Sequence, residues 1–284
     1  MMTPEQRYFF DITGYLHLEG VLQGEELEKV QAAAQRYIDT PPSEVPDGFE
    51  IDIEREHFNW YTHAFAFDKE LEALTFHPTT WPIVKELLDE KPRLGGGNMM
   101  VDFYGRPFHP LHSGHEKTLT AELPGWRRYQ IHNGRISCND LVFFFYLTDV
   151  HPGDGGLIVL PGSHKANFER PPEMFYPGSF KDGGYNDDYR SSEVPEGIKN
   201  FNPKAGDVIV ISELLVHGAL SWEAKDRDRR FLTLRYCSQF VSPHSPLPEG
   251  VLAKLSPETL ELVQTSTAHH VKSIVEQDVV TLSL

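Results

Sequence analysis

Three short segments carry side chains whose types and spacing suggest chemistry. The first, FHPLHSGHE (Phe108 to Glu116), has three histidines at three-residue spacing, and its proline and glycine exclude a regular helix. In the second segment, residues 214–220, His217 follows an apolar run. In the third, residues 226–236, Arg229 lies at the start of an alternating strand, twelve residues after His217. Imidazoles bind metals, and a guanidinium binds a carboxylate through two hydrogen bonds. A polar loop, a core histidine and a solvated turn are the simpler interpretations of the three segments.

The composition restricts the class of protein. The chain has 284 residues, of which 39% are hydrophobic and 24% charged, as in an ordinary globular protein. We expect a single domain over residues 1–284. The formal net charge of -16 argues against a nucleic-acid partner and against an anionic membrane surface, because both require an excess of Lys and Arg. A small-molecule substrate is the remaining expectation, and the oligomeric state stays open.

The cysteines and the N-terminus indicate a cytoplasmic protein. Two cysteines, Cys138 and Cys237, are too few for a disulfide framework or a cysteine-rich zinc site, so we expect buried thiols. The first residues, MMTPEQRYFFDITGYL, lack a basic region followed by a long apolar run. The longest apolar stretch, 141–147, is too short to cross a bilayer.

The elements that must position these side chains are mainly strands. Apolar spacing predicts helices over 23–38 and 80–89, the second with Thr80 as its N-cap, and a strand over 14–18. Strands are predicted at 98–104, 128–132, 141–149, 156–160, 207–212 and 231–240, and Ser256 is predicted to cap a last helix. Short strands bounded by turn residues favour a sandwich or barrel. The prediction is a helical start (about 1–95), a β-core (about 96–241) and a helical tail (242–284).

A family resemblance runs through these elements. The segment LVFFFYLTDVHPGDGGLIVLPGSHK, residues 141–165, closely resembles the phytanoyl-CoA dioxygenase family. Ala205-Gly206-Asp207, His217-Gly218 and Arg229-Arg230 follow in that family's order, and the opening GYLHLEGVLQGEELEKV is similar to its first strand and helix. The likeness covers most of the chain, and the ordered set of motifs is more specific than the PGSHK stretch alone.

The resemblance implies a fold, a cofactor set and site residues. The implied fold is a double-stranded β-helix (jelly roll, cupin-like), with Fe(II) held by two histidines and one carboxylate and three positions open for 2-oxoglutarate and O2. By the same resemblance His217 is the distal iron ligand and Arg229 grips the far carboxylate of 2-oxoglutarate. His164, in the PGSHK turn, is implied to be structural. We add Gln130 and Asn98, on predicted strands, as candidate cofactor-binding residues.

One departure from the family's pattern concerns the first two ligands. The family usually supplies them as His-x-Asp, and this sequence contains no His-x-Asp. The alternatives are His112, two residues before Gly114, and His132, two residues before Gly134. We favour His112 because Leu-His-x-Gly resembles a branch of the family, whereas the HNGR segment is typical of an added hairpin.

A glycine at the carboxylate position leaves three outcomes. Another carboxylate, such as Glu116 or Asp102, reaches the iron and the enzyme hydroxylates an unactivated C–H of a small organic molecule. Alternatively, chloride takes the position facing Gly114, as in the related iron halogenases. In the third outcome no useful iron binds and the protein is a non-catalytic binding module. Hydroxylation is the favoured expectation. The segment 166–200 is expected to be a lid or binding loop, with a disordered surface loop as the alternative.

Overall fold

Helices occupy both ends of the chain and strands its centre, as the sequence predicts. The computed structural model describes residues 1–53, 55–114, 128–182, 184–243 and 245–283. Its α-helices are α1 Pro4–Thr13, α2 Gly24–Asp39, α3 Lys69–Ala73, α4 Trp81–Leu87, α5 Glu249–Leu252 and α6 Pro257–Val263. Short 3-10 turns lie at Pro42–Glu44, Ala64–Ala66, Leu74–Phe76, Ser163–Lys165 and Ser273–Glu276.

The strands are short, apart from two that run through the centre of the molecule. They are β1 Tyr15–Leu18, β2 Ile51–Asp52, β3 Phe58–Tyr61, β4 Pro92–Gly96, β5 Met99–Asp102, β6 His109–His112, β7 Tyr129–His132, β8 Arg135–Cys138, β9 Asp140–Tyr146, β10 Gly156–Val159, β11 Phe180–Lys181, β12 Gly184–Tyr185, β13 Lys199–Asn200, β14 Val208–Ser212, β15 His217–Leu220 and β16 Arg229–Ser238. Each strand predicted from the sequence has a counterpart here, with boundaries that differ by a few residues.

Two antiparallel sheets form the centre. Among the described residues the larger sheet has eight strands in the order β1-β14-β9-β16-β5-β3-β2, with β4 also paired to β16. The smaller sheet has four, in the order β13-β10-β15-β6. The hairpins β7-β8 and β11-β12 stand apart from both sheets. Crossovers between strands distant in sequence, such as β1 beside β14, are typical of a jelly roll.

Burial on both faces organises the larger sheet. In β9, Leu141, Phe143 and Phe145 belong to the same apolar cluster as the buried side chains of α2 and α4. The alternate residues Phe144 and Tyr146 belong to a second cluster, which Leu157 and Val159 of β10 in the smaller sheet also join. Successive side chains of a strand point to opposite faces, so β9 is apolar at every position from Leu141 to Tyr146. One face is therefore covered by helices and the other closes onto the smaller sheet.

Local details confirm some predictions and correct one. The HNGR hairpin is present as β7-β8, with Asn133 and Gly134 at positive φ in its turn. Ser256 caps α6 by accepting a hydrogen bond from the Thr259 N–H. Thr80 does not cap α4: its backbone is already helical and its side chain accepts no capping hydrogen bond. Its hydroxyl donates instead to the carbonyl of His77, at 3.4 Å.

The structure also bears on the predictions about membrane spans and about the two cysteines. Among the described residues, no helix combines the length and the apolar character needed to cross a bilayer. Cys138 and Cys237 are both buried and unbonded to each other, as expected. The Cys138 thiol donates to the hydroxyl of Ser212, at 3.3 Å, and burial raises its pKa to about 12.

The PGSHK turn, which contains His164, holds helix α1 against the core through hydrogen bonds to Asp11. The Nε2–H of His164 donates to the carbonyl of Asp11, at 3.1 Å. The carboxylate of Asp11 accepts hydrogen bonds from Lys165, at 2.6 Å, and from the Tyr129 hydroxyl, at 2.7 Å. The rings of His164 and Tyr129 meet edge to face, with centroids 4.5 Å apart. These contacts explain the motif as a structural one.

The turn before β10 yields a stability prediction. Gly155 and Gly153 both have positive φ, but a Cβ on Gly155 would lie 2.0 Å from the carbonyl oxygen of Ser221, whereas Gly153 faces open space. We expect Gly153→Ala to lower the free energy of unfolding by about 1–2 kcal/mol, the cost of the left-handed backbone alone. Gly155→Ala should lower it by about 3 kcal/mol or more, because backbone must move as well.

Urea denaturation of the two variants is the measurement. Gly153→Ala is the matched control, because it shares the backbone conformation and lacks the clash. Equal losses of stability in the two variants would contradict the steric explanation.

Candidate metal centre

Two histidines face each other across neighbouring strands. Strand β6 pairs with β15 in the smaller sheet, and the register sets His112 directly opposite His217. Their ring centroids are 4.2 Å apart. Directly opposed residues of an antiparallel pair project from the same face, so both imidazoles extend into the space between the sheets. The register shifts between His217 and Ala219, an irregularity that changes the direction of side chains on a strand.

The backbone fixes the tautomer of both rings. Nδ1 of His112 lies 2.9 Å from the carbonyl of Pro110, and Nδ1 of His217 lies 2.7 Å from the carbonyl of Leu215. A carbonyl oxygen only accepts, so each Nδ1 carries the hydrogen and each Nε2 carries the lone pair. Metal-binding histidines are oriented by this kind of bond from the other ring nitrogen.

Desolvation lowers the pKa of two imidazoles in this region, those of His217 and His109. Burial lowers the pKa of His217 to about 4, against the opposing effect of its bond to Leu215. The pKa of His109, on the same strand as His112, is lowered to about 3, first by desolvation and then by the charges of His112 and Arg106. A metal requires the neutral imidazole, so these rings are in the ligating form at neutral pH.

The alternative first ligand, His132, is not at this position. His132 lies exposed on the β7-β8 hairpin, away from the histidine pair. Gly114 has no side chain, and its N–H donates to the carbonyl of Glu213, at 2.7 Å. Glu116 falls outside the described residues. Among the described residues, no group of three His, Cys, Asp or Glu side chains is arranged to hold a metal. The described donors that meet at this position are the imidazoles of His112 and His217.

An inner pocket of about 150 Å³ contains the histidine pair. Its walls are apolar on the side of the larger sheet, with Phe144, Tyr146, Phe231 and Met100, and Leu157 faces them from the smaller sheet. Its charged residues are Asp102, Arg106, Arg229 and Arg235. Asp102, a carboxylate considered above as an iron ligand, is thus close to the histidines.

Asp102 is committed to guanidinium groups rather than to a metal. The β5-β16 register sets Asp102 opposite Arg229, and the two side chains are buried, with Asp102 1% and Arg229 5% exposed. Nε and Nη2 of Arg229 donate to Oδ2 of Asp102, at 2.8 and 2.5 Å. The other oxygen, Oδ1, forms an ion pair with Nε of Arg106, at 3.3 Å.

Glycine and aromatic residues shape the space around Arg229. The guanidinium carbon lies 5.2 Å from the ring centroid of Phe231 and 5.7 Å from that of Trp222. A Cβ at Gly156 would lie 2.7 Å from Nη1 of Arg229. A side chain at Gly156, the last residue of Asp154-Gly155-Gly156, would thus displace the guanidinium of Arg229 from its present position, a relation that the sequence did not reveal.

Gln130 and Asn98, the two predicted cofactor-binding residues, lie outside the inner pocket. Gln130 is exposed on β7 and lines a separate cavity with Asn139. The side-chain oxygen of Asn98 accepts a hydrogen bond from the His63 N–H, at 3.0 Å. Neither residue lines the inner pocket, because β7 belongs to a separate hairpin and Asn98 precedes β5.

A larger outer groove opens beside the inner pocket. It has a volume of about 830 Å³ and shares Trp60, Arg106 and His109 with the inner pocket. Tyr185, from the 166–200 segment, lines the groove, and its ring centroid lies 5.6 Å from that of His109. The segment contains the short strands β11 and β12, so in its described part it is an ordered wall of the groove.

Comparison with known proteins identifies the family. The family model for phytanoyl-CoA dioxygenase (PhyH) matches residues 10–230, and the chain belongs to this family. The double-stranded β-helix fold is thereby confirmed. No curated protein matches the chain.

Solved structures with this fold include metal-bound and 2-oxoglutarate-dependent proteins. HygX from Streptomyces hygroscopicus, with nickel and 2-oxoglutarate bound, is 23% identical over 85% of this chain and 89% of its own, with a TM-score of 0.65. The 2-oxoglutarate-dependent carbocyclase SnoK from nogalamycin biosynthesis is 21% identical over 90% of this chain and 92% of its own, with a TM-score of 0.60. The monooxygenase ThoJ, as a nickel complex, is 14% identical over 84% and 79%, with a TM-score of 0.57. At these identities the likeness establishes a shared fold.

The neutral state of His217 yields a pH prediction for the metal-free protein. The folded pKa of about 4 is below the ordinary value of 6.5, so the unfolded chain binds this proton more readily. The contribution of His217 to stability is complete above pH 6.5 and is lost as the pH falls from 6.5 to 4. The loss should be about 3 kcal/mol.

Urea denaturation at stepped pH, with a chelator present, measures this loss. His217→Asn should flatten the pH dependence over that window. His132→Asn, which changes an exposed histidine, should leave it as in the wild type. A wild-type pH dependence in His217→Asn would contradict the assigned neutral state.

Proposed function

We propose that this protein is an Fe(II)- and 2-oxoglutarate-dependent oxidoreductase that hydroxylates a small organic molecule. One observation carries the proposal: the opposed side chains of His112 and His217 open into the same small pocket as the buried Arg229. Family membership and the iron or nickel and 2-oxoglutarate found in HygX support it.

Each residue has a distinct role in this proposal. Nε2 of His112 and Nε2 of His217 hold the iron, and Arg229 receives the distal carboxylate of 2-oxoglutarate by charge-assisted hydrogen bonds. Iron and 2-oxoglutarate, when bound, supply the oxidising chemistry that breaks an unactivated C–H bond. Phe144, Leu157 and Phe231 exclude water from the pocket, which strengthens the electrostatic interactions inside it.

The outer groove is the proposed substrate site. Its volume of about 830 Å³ is in the range of small-molecule pockets, and His109 and Trp60 connect it to the inner pocket. HygX has been solved with hygromycin B bound, and the epimerase SnoN with nogalamycin RO, so this fold accommodates a small molecule together with a metal and 2-oxoglutarate. Because the neighbours include a carbocyclase and an epimerase, the fold alone does not select hydroxylation.

Metal binding is the first test. We expect His112→Ala and His217→Ala each to weaken Fe(II) or Ni(II) binding at least tenfold, because each removes one of two protein ligands. The measurement is metal content after anaerobic reconstitution, together with Ni(II) titration calorimetry.

His132→Ala is the matched control and should bind metal as the wild type does. Loss of metal in His132→Ala with retention in His112→Ala would move the first ligand to the hairpin. A wild-type protein that binds no iron would overturn the enzyme proposal and leave a non-catalytic binding protein.

A halogenase is the second candidate function. Gly114 stands where the family supplies a carboxylate, and Asp102 is occupied by Arg229 and Arg106. A metal with two neutral protein ligands favours an additional anion, and chloride is small enough to lie beside a glycine.

The Gly114→Asp variant separates the two functions. In the wild type, a chloride ligand should make 2-oxoglutarate turnover depend on chloride, measured as succinate formed with and without the salt. Gly114→Asp should remove that dependence, because the new carboxylate replaces the external anion. Gly134→Asp, in the exposed β7-β8 turn, is the control and should keep the wild-type response. Chloride-independent turnover in the wild type would exclude the halogenase.

A further inference from the structure

The pair formed by Arg229 and Asp102 raises a problem for the proposed 2-oxoglutarate site, on which the following inference rests. Arg229 already donates from Nε and Nη2 to a buried carboxylate. A neutral buried pair attracts a further carboxylate only weakly, and the negative charge of Asp102 repels it. If Arg229 is to bind the distal carboxylate, another positive charge must offset Asp102.

Arg106 has the position to offset that charge. It lies four residues after Asp102 and forms an ion pair with the oxygen that Arg229 does not use. Its guanidinium carbon lies 3.5 Å from the ring centroid of Phe58, and such a contact favours the cation. Arg106 lines both the inner pocket and the outer groove. Its charge is thus held at the junction of the two cavities.

The loop that carries Arg106 is held in place by the chain before β16. The Gly105 N–H donates to the carbonyl of Trp222, at 2.9 Å, and the Trp222 N–H donates to the carbonyl of Arg106, at 3.1 Å. Arg190 also donates to the carbonyl of Gly105. These reciprocal bonds hold the Arg106 backbone against the element that leads to Arg229.

The charges around Asp102 favour one bound anion. Among the described residues that line the inner pocket, Asp102 is the one carboxylate, and two guanidinium groups share it. Arg235, which also lines the pocket, is paired with Glu213 outside it. Asp187 lies near Arg106 but is exposed in the outer groove, where solvent screens its charge. The cluster of Asp102, Arg106 and Arg229 therefore carries one positive charge in excess.

We propose that Arg106 is a positioning residue of the 2-oxoglutarate site. It neutralises Asp102, so that Arg229 retains its attraction for the distal carboxylate. Arg106 acts through Asp102 and Arg229. Its effect depends on its charge, and it disappears when the charge of Asp102 is removed as well.

Equilibrium binding of 2-oxoglutarate to the nickel-loaded protein tests this proposal, because nickel permits calorimetry without turnover. We expect Arg106→Gln to weaken binding about tenfold or more. Arg106→Lys, which keeps the charge, should bind within about threefold of the wild type. The double variant Asp102→Asn, Arg106→Gln should recover most of the lost affinity, because the charge that Arg106 offsets is gone.

Two controls assign the effect to the distal carboxylate. The first control is Arg55→Gln. The guanidinium of Arg55 also lies beside Phe58, 4.6 Å from the ring centroid, but it pairs with Asp52 and does not line the inner pocket. This variant should leave 2-oxoglutarate affinity unchanged. The probe 2-oxobutyrate has the same 2-oxo acid group without the distal carboxylate, and Arg106→Gln should not alter its binding.

The outcomes separate this inference from the proposed function. If Arg229→Ala weakens 2-oxoglutarate binding and Arg106→Gln does not, the role of Arg106 is overturned and the site stands. If the double variant stays as weak as Arg106→Gln, Arg106 acts by packing and the charge argument is overturned. If the nickel-loaded wild type binds neither 2-oxo acid, the proposed function fails and this inference fails with it.

Discussion

Burial of the larger sheet on both faces is the constraint on which the site depends. In β16, Leu232 and Leu234 pack toward the helices, whereas Arg229 and Phe231 face the inner pocket. A shift of one residue in the register would exchange these two sets and turn Arg229 away from the inner pocket. The apolar contacts with the helices therefore set the direction of the charged side chain, and the pocket is a consequence of core packing.

The histidine pair is positioned by main-chain hydrogen bonds rather than by a flexible loop. His112 and His217 belong to paired strands, and each Nδ1 donates to a carbonyl two residues earlier in its own segment. Sites built on strands hold their geometry better than sites built on loops. The imidazoles are consequently arranged before any ligand binds, and binding requires little reorganisation of the protein.

The sequence was most informative where local pattern and core packing coincide. The long apolar runs of β9, β14 and β16 and the Asn-Gly turn of β7-β8 carry their own signals, so the strands and the hairpin were predictable. His217 and Arg229 were found from their order along the chain in a family resemblance. These two residues now lie in one pocket with His112.

Side-chain contacts that depend on the register between strands distant in sequence could not be predicted from the sequence. Asp102 and Arg229 are 127 residues apart in sequence, and only the β5-β16 pairing sets them opposite each other. The same lack of long-range information misplaced Gln130, because a predicted strand does not reveal the sheet to which it belongs. The close approach of Gly155 to the Ser221 carbonyl and of Gly156 to Arg229 also depends on tertiary structure, so the sequence did not show it.

The charges of the pocket then distinguish this chain from the usual pattern of its family. Under the proposed function, a divalent iron would be held by His112 and His217, which are neutral as metal ligands, beside a cluster with one excess positive charge. The two carboxylates of 2-oxoglutarate leave this assembly one positive charge in excess, and a His-x-Asp ligand would have removed that excess. Uncompensated buried charge is costly, so the site favours one further anion near Gly114. Whether that anion is a protein carboxylate or chloride decides between hydroxylation and halogenation. Under the proposed function, the charge balance at Gly114, rather than the fold, would therefore decide the reaction type.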